Sequence, residues 1–339
     1  MKKSLKRLIA VTASVVSTGA LASNLENPLY MPQNREVYLK TGAGMMYKTI
    51  DDTQALKDKH IAGEHVFPVW RFTGDMGYGI TDNLDVHGHF GYTKDGRNDR
   101  KGMHRGRIGL TYRVLEESDP FILDFYADGF LSGVTPMKGT LKKIGSKFVF
   151  DFDNYSNGRW GIIGGTRFGK TWDDFTLAAH AEYLQTFGNH NNKIAIDPTT
   201  GLLALNFPEE LAVDLKSTHE TCAGIDAFYQ LDETWSFGAG FEYYGHADNG
   251  VKSIHTKIPA APAGYQPYQN AAKESLLDMT KDMDDGWEEY TVKASVANQI
   301  TDDIQIALYA EYTFDSSHEK SQNGTDVKAE LGVRMNARF

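Results

Sequence analysis

Apolar and polar residues alternate with a period of two through most of this chain. The final stretch shows the pattern most cleanly. From Asp326 onward, Val327, Ala329, Leu331, Val333, Met335, Ala337 and Phe339 fall on one face, while Lys328, Glu330, Arg334, Asn336 and Arg338 fall on the other. Period two is the repeat of a β-strand, whose successive side chains point to opposite faces. A packed core would not accept so many unpaired charges behind an apolar stripe. Lipid on one face and a polar lumen on the other satisfy both.

The same alternation predicts strands over 36–48, 68–80, 85–93, 104–115, 121–131, 158–170, 175–187, 221–231, 235–244, 287–298, 304–314 and 326–339. Most are long enough to cross a bilayer at a tilt, which takes about 9–11 residues. Tight turns and longer connections alternate between them. Thr81-Asp82-Asn83-Leu84, Trp172-Asp173-Asp174 and Thr301-Asp302-Asp303 are tight, with Asp and Asn supplying local backbone bonds. The longest connections, 188–218 and 249–286, read as loops on the opposite side. An even strand number with short turns at one end and long loops at the other is the layout of a transmembrane antiparallel up-and-down β-barrel. The predicted fold class is therefore all-β, with about twelve strands.

Composition narrows this further. Charged residues make up 24% of the 339 positions, and past residue 30 no run approaches the eighteen apolar residues of a spanning helix. A barrel escapes that test because its lumenal half is polar. At the start, Lys2, Lys3, Lys6 and Arg7 precede the apolar run Leu8–Leu21 and the small-x-small site Ala20-Leu21-Ala22. Residues 1–22 read as a cleaved secretory signal peptide, and 23–339 as a single barrel domain. Losing those four cations moves the formal net charge from −10 to −14, which disfavours nucleic acid as a partner. Cys222 stands alone, so it forms no internal disulfide.

The segment up to Ala22, the hairpin from Tyr78 to Val86 and the last strand ending on Phe339 together resemble Gram-negative outer-membrane β-barrel proteins of the broad porin-like class. By pattern the resemblance covers the whole mature chain. It implies a place in the bacterial outer membrane, contact with outer-membrane lipid and lipopolysaccharide, and a last strand read by the barrel-assembly machinery with Phe339 as its signal. Ala337 departs from the class, whose terminal signal often carries an aromatic two residues before the end.

Sorting the inward positions by strand separates the charges. A basic wall comprises Lys40, Arg71, Arg105, Arg107, Arg113 and Arg334; an acidic wall comprises Asp124, Asp128, Glu182, Asp226 and Glu242. Arg167 and Lys293 stand among the acidic strands, and Asp75 and Asp85 among the basic ones. Opposed walls would set a transverse field across an open lumen. The same charges could instead neutralise one another in a closed network, since twelve strands lie between filled and open barrels. Inward glycines such as Gly44, Gly77 and Gly165 would thin the filling. Leu202–Leu205 and Leu276-Leu277 are apolar enough to fold against something, either as constrictions or as extensions above the membrane. His87 and His89 share a face near Asp75, a His–carboxylate pair or a metal pair; the inward Cys222 reads as a spectator. No His-x-Ser with a following Asn-Gly is present. The expected function is a passive channel for small hydrophilic solutes or ions, not an enzyme, with no metal and no cofactor. A non-conducting surface-interaction barrel and a rim-site hydrolase are the alternatives.

Overall fold

The structure is a computed structural model that describes residues 24–50, 67–95, 101–116, 118–131, 138–144, 147–152, 160–187, 192–247, 251–282, 287–315 and 325–339. The expected signal peptide lies outside them, as do parts of the longer connections. The described strands, in chain order, are β1 (Val37–Ile50), β2 (Phe67–Thr81), β3 (Leu84–Asp95), β4 (Lys101–Leu115), β5 (Ile122–Leu131), β6 (Lys138–Ile144), β7 (Lys147–Phe152), β8 (Trp160–Trp172), β9 (Phe175–Phe187), β10 (Asn192–Ile196), β11 (Glu210–Leu215), β12 (Thr218–Gln230), β13 (Trp235–His246), β14 (Val251–Ile254), β15 (Trp287–Thr301), β16 (Ile304–Asp315) and β17 (Thr325–Arg338).

Twelve of these close into one antiparallel barrel, in the order β1-β17-β16-β15-β13-β12-β9-β8-β5-β4-β3-β2. They are the twelve strands that the alternation predicts. Closure is between the first and last: Tyr38 faces Arg338 and Lys48 faces Lys328. Val37 and Phe339 extend that ladder, exchanging backbone hydrogen bonds of 3.0 and 2.8 Å. A closed ladder leaves no unpaired edge, as a membrane requires. The outward residues are large, apolar and exposed on every side of the barrel. Trp70, Phe72, Ile108, Leu110, Phe125, Ile162, Ile225, Phe237, Val292, Leu308, Leu331 and Val333 are among them. Such a band is stable only against lipid.

The long connections are not simple loops. β6, β7, β10, β11 and β14 form a second, five-stranded sheet in the order β14-β11-β10-β6-β7. Its strands come from the β5–β8, β9–β12 and β13–β15 connections, so it belongs to the end opposite the tight turns. β6 and β10 pair in parallel; the other pairs are antiparallel. Its face buries Leu141, Ile194, Ile196, Leu211 and Val213 against Leu202, Phe207 and Leu276. Leu276 is carried by the helix Gln266–Asp282. Gln269 of that helix donates from Nε2 to the carbonyls of Leu205 (2.6 Å) and Pro259 (2.8 Å). Leu202, Leu203, Leu205 and Leu276, from both apolar segments singled out in the sequence, thus contribute to one core, while the side chain of Leu277 lies outside the described residues. The expected loops at 188–218 and 249–286 are corrected to this small sheet-and-helix layer.

Candidate functional site: the barrel lumen and its leader segment

The leader preceding β1 folds into the lumen. Two Asn side chains shape it: Asn24 Oδ1 accepts from Glu26 N, and Asn27 Oδ1 from Leu29 N, both at 2.9 Å. These are Asx turns, in which a side chain replaces the backbone partner. The backbone follows with turns Asn27 N to Asn24 O and Tyr30 N to Asn27 O. Residues 24–32 are compact as a result, and most of them are buried.

Strands all around the barrel hold this segment. Asn24 Nδ2 donates to Gln230 Oε1 of β12 (2.7 Å), and Gln305 Nε2 of β16 donates to Asn24 Oδ1 (2.9 Å). Asn27 Nδ2 donates to Thr176 Oγ1 of β9 (3.2 Å). Lys40 Nζ of β1 donates to the Leu25 carbonyl (2.5 Å), Arg113 Nη2 of β4 to that of Leu29 (2.6 Å), and Arg167 Nη1 of β8 to that of Pro28 (2.8 Å). Arg334 Nη1 of β17 lies 3.1 and 3.2 Å from the Glu26 carboxylate, which Asn336 Nδ2 also reaches at 2.7 Å. Leu29 packs on Ile122 and Ala178. Thr176, Gln230 and Gln305 adjoin tight turns, so the leader lies toward the tight-turn end of the lumen. Burial raises the Glu26 carboxyl, but Arg334, Lys40 and the Asn336 hydrogen bond outweigh it and hold the group below its ordinary value.

The charged residues named from sequence face inward wherever their side chains are described, and each lies against an opposite charge, a histidine or a leader carbonyl. Arg113 grips Asp124 of the adjacent strand with Nε (2.8 Å) and Nη2 (3.1 Å), and Arg167 reaches the same carboxylate from the other side, Nε to Oδ2 at 2.9 Å. Asp124 is 0% exposed. Arg107 lies 3.3 Å from Glu182 and 3.8 Å from Asp128. Arg71 pairs with Glu330 at 2.9 Å. Glu242 accepts from Lys293 at 2.6 Å, and Asp226 sits 3.2 Å from His180 Nδ1. Arg105 is in β4, with its side chain outside the described residues. A buried charge is tolerable only when it is paired, so lumenal charges find partners, some on the adjoining strand as Arg113 and Asp124 do, others across an intervening strand or two as Arg71–Glu330 and Arg107–Glu182 do.

His87 and His89 are carboxylate-paired. His87 Nδ1 meets Asp85 and Nε2 meets Asp128, each at 3.0 Å; His89 Nδ1 meets Asp75 at 2.5 Å. Nor do the inward glycines simply widen the lumen. A Cβ on Gly77 would strike the Tyr38 ring, one on Gly165 the Tyr126 ring, and one on Gly44 the Tyr309 hydroxyl and Glu330. Each glycine is a seat for an inward tyrosine or carboxylate from the next strand.

No family model matches the chain, and no characterised protein sequence matches it. Solved structures do. An outer membrane channel from Pseudomonas putida F1 superposes with a TM-score of 0.53 at 12% identity, over 91% of this chain and 97% of that one. The NanC porin gives a TM-score of 0.41 at 9% identity, over 87% and 98%. The transport unit of the autotransporter AIDA-I from Escherichia coli gives 0.44 at 12%, over 94% and 97%. The likeness to the channel is one of fold. The chain is an outer-membrane β-barrel. Its exposed apolar band, closed strand order and one-sided long connections place this barrel in the bacterial outer membrane.

In this barrel the leader was the part least visible in the sequence. It has no periodicity, and residues 24–34 fall before the first strand that the alternation predicts. The signal available was compositional: Asn24 and Asn27, each followed two residues later by its own hydrogen-bond partner, with Leu25, Leu29 and Tyr30 too apolar for an exposed tether.

Proposed function

We propose that this barrel is a passive channel for small hydrophilic solutes or ions, not an enzyme, and that its resting state is closed from the periplasmic side by residues 24–35. One observation carries the reading. A segment that is not a strand lies in the lumen, docked on strands around the barrel through side-chain and carbonyl hydrogen bonds. A docked segment can leave while the barrel stays whole. The likeness in fold to an outer membrane channel agrees with this and adds nothing about the solute.

The apolar band would meet outer-membrane lipid and lipopolysaccharide, and the strand ending on Phe339 would be handed to the barrel-assembly machinery. The five-stranded layer stands on the side from which solutes would enter. The channel reading is tested with proteoliposomes in swelling assays with small sugars and amino acids. Vesicles holding barrels without residues 24–34 should swell faster than protein-free vesicles. Equal swelling, with the barrel shown to be folded, would sink the channel reading.

A further inference from the structure

Near mid-barrel, where His180 and Glu242 both pair with Gly224 of β12, three potential metal ligands converge. His180 of β9, Cys222 of β12 and Glu242 of β13 each offer one atom, and these atoms lie within 4.8 Å of one another. Cys222 Sγ is 3.9 Å from His180 Nε2, and His180 Nε2 is 3.6 Å from Glu242 Oε2. With Zn–S of about 2.3 Å and Zn–N and Zn–O of about 2.1 Å, a tetrahedral ion separates its sulfur and nitrogen by roughly 3.5 Å and its nitrogen and oxygen by roughly 3.4 Å. Both of these separations need to shrink by only a few tenths of an ångström, and the third, Cys222 to Glu242, is within 4.8 Å. We propose that His180, Cys222 and Glu242 form a lumenal site for a Zn2+-like transition-metal ion.

Three features beyond ligand count support the site. First, the imidazole is oriented. Asp226 Oδ2 sits 3.2 Å from His180 Nδ1, so in the neutral imidazole it would hold the proton on Nδ1 and leave Nε2, which faces Cys222, free for an ion. A carboxylate behind a ligating histidine is the usual outer shell of a zinc site. Second, Glu242 is itself held, by Lys293 at 2.6 Å on Oε2, which leaves Oε1 for an ion or lets the lysine swing aside. Third, the backbone makes room. A Cβ on Gly224 would lie 2.5 Å from His180 Cε1 and 2.8 Å from Nε2, and one on Gly240 would lie 2.4 Å from Asp226 Oδ1. Glycine at these two positions lets the ring and its carboxylate lie flat over neighbouring strands.

Thiolate with imidazole selects zinc, copper or cobalt over magnesium and calcium. Three protein ligands leave a fourth position for water or a passing solute. Binding replaces the thiol proton: Cys222 S–H gives up H+ to solvent as the S–metal bond forms, with no change in oxidation state. Cys222 pairs with Tyr244 across the ladder, four residues into β12 from its long-connection end. An ion entering from outside would therefore reach it without passing the leader, and the proposal stands whether or not the barrel conducts.

The test is a Co2+ titration of the purified, folded full-length barrel in detergent. Wild type should take up one equivalent, with a near-ultraviolet thiolate-to-cobalt band and visible tetrahedral bands, and Zn2+ should displace it. Cys222→Ser should abolish the thiolate band. Asp226→Asn should weaken Co2+ binding about 10–100-fold while keeping the band at saturation. Gly224→Ala should weaken it without altering any ligand; if that variant fails to fold, the near-isosteric Cys222→Ser still decides. Wild type binding no Co2+, or Cys222→Ser giving the wild-type spectrum, would overturn the proposal.

Discussion

Glu26→Ala is the perturbation that separates a docked leader from an integral one. The Glu26 carboxylate takes two contacts from Arg334, at 3.1 and 3.2 Å, and one from Asn336, at 2.7 Å. Its side chain is 6% exposed, and that of Arg334 is 28%. Removing one partner of a fully buried pair costs about 3–5 kcal/mol. Two facts move the expectation to the low end. Arg334 retains some solvent and lies 5.0 Å over the Tyr309 ring, a cation–π contact. Asn336 Nδ2 retains its bond to Gln305 Oε1 at 3.0 Å, so that nitrogen is not orphaned. A loss of about 3 kcal/mol in docking, at 1.4 kcal/mol per tenfold, raises the released-to-docked ratio roughly 100-fold. In single-channel recordings the variant should open far more often than wild type, with unchanged conductance per opening. If Glu26→Ala stays as quiet as wild type while a barrel lacking residues 24–34 conducts, the ion pair is not what pins the leader.

The other consequences are simpler. Because the Glu26 carboxyl is held below its ordinary 4.5, its contribution to docking is complete above that value and is lost as pH falls through the lowered one; opening should begin only below about pH 4.5, and acid activation near pH 6 would contradict it. Asp124→Ala strands Arg113 and Arg167 beside each other in a buried site, so it should destabilise the barrel by about 3–5 kcal/mol in urea unfolding from detergent or bilayers. Leu211→Ala empties the centre of the long-connection layer, costing that layer about 2–5 kcal/mol. Proteolysis at the surface of intact cells should then cut the layer while the barrel stays protected.

The fold was legible because its physics is local. Lipid outside and polar lumen inside impose alternation on each barrel strand separately, so Phe175–Phe187 could be bounded without knowing its neighbours. The five-stranded layer was not legible for the opposite reason. β6, β10 and β14 are four to seven residues long, and the parallel β6–β10 pair joins Lys138 to Lys193 across the chain. Lone segments such as KGTLKKI carry too little pattern to show such a partner, although Leu202 and Leu276 betrayed that something would cover them. At the site, the residue types were visible and their partners were not. Arg113 and Asp124 were placed on opposed walls, yet they are cross-strand neighbours in register, and adjacency decided their pairing. Cys222 read as a spectator because its company, His180 and Glu242, lies 42 and 20 positions away in sequence and meets it only through strand register.

The central claim is that the leader, and not the wall, closes this lumen. Planar-bilayer recording of the intact chain beside a chain lacking residues 24–34 tests it most directly. The intact barrel should be closed for most of the record, and the shortened one should give sustained ohmic steps of one size. Equal currents from the two, or silence from a shortened barrel that is demonstrably folded, would contradict the account.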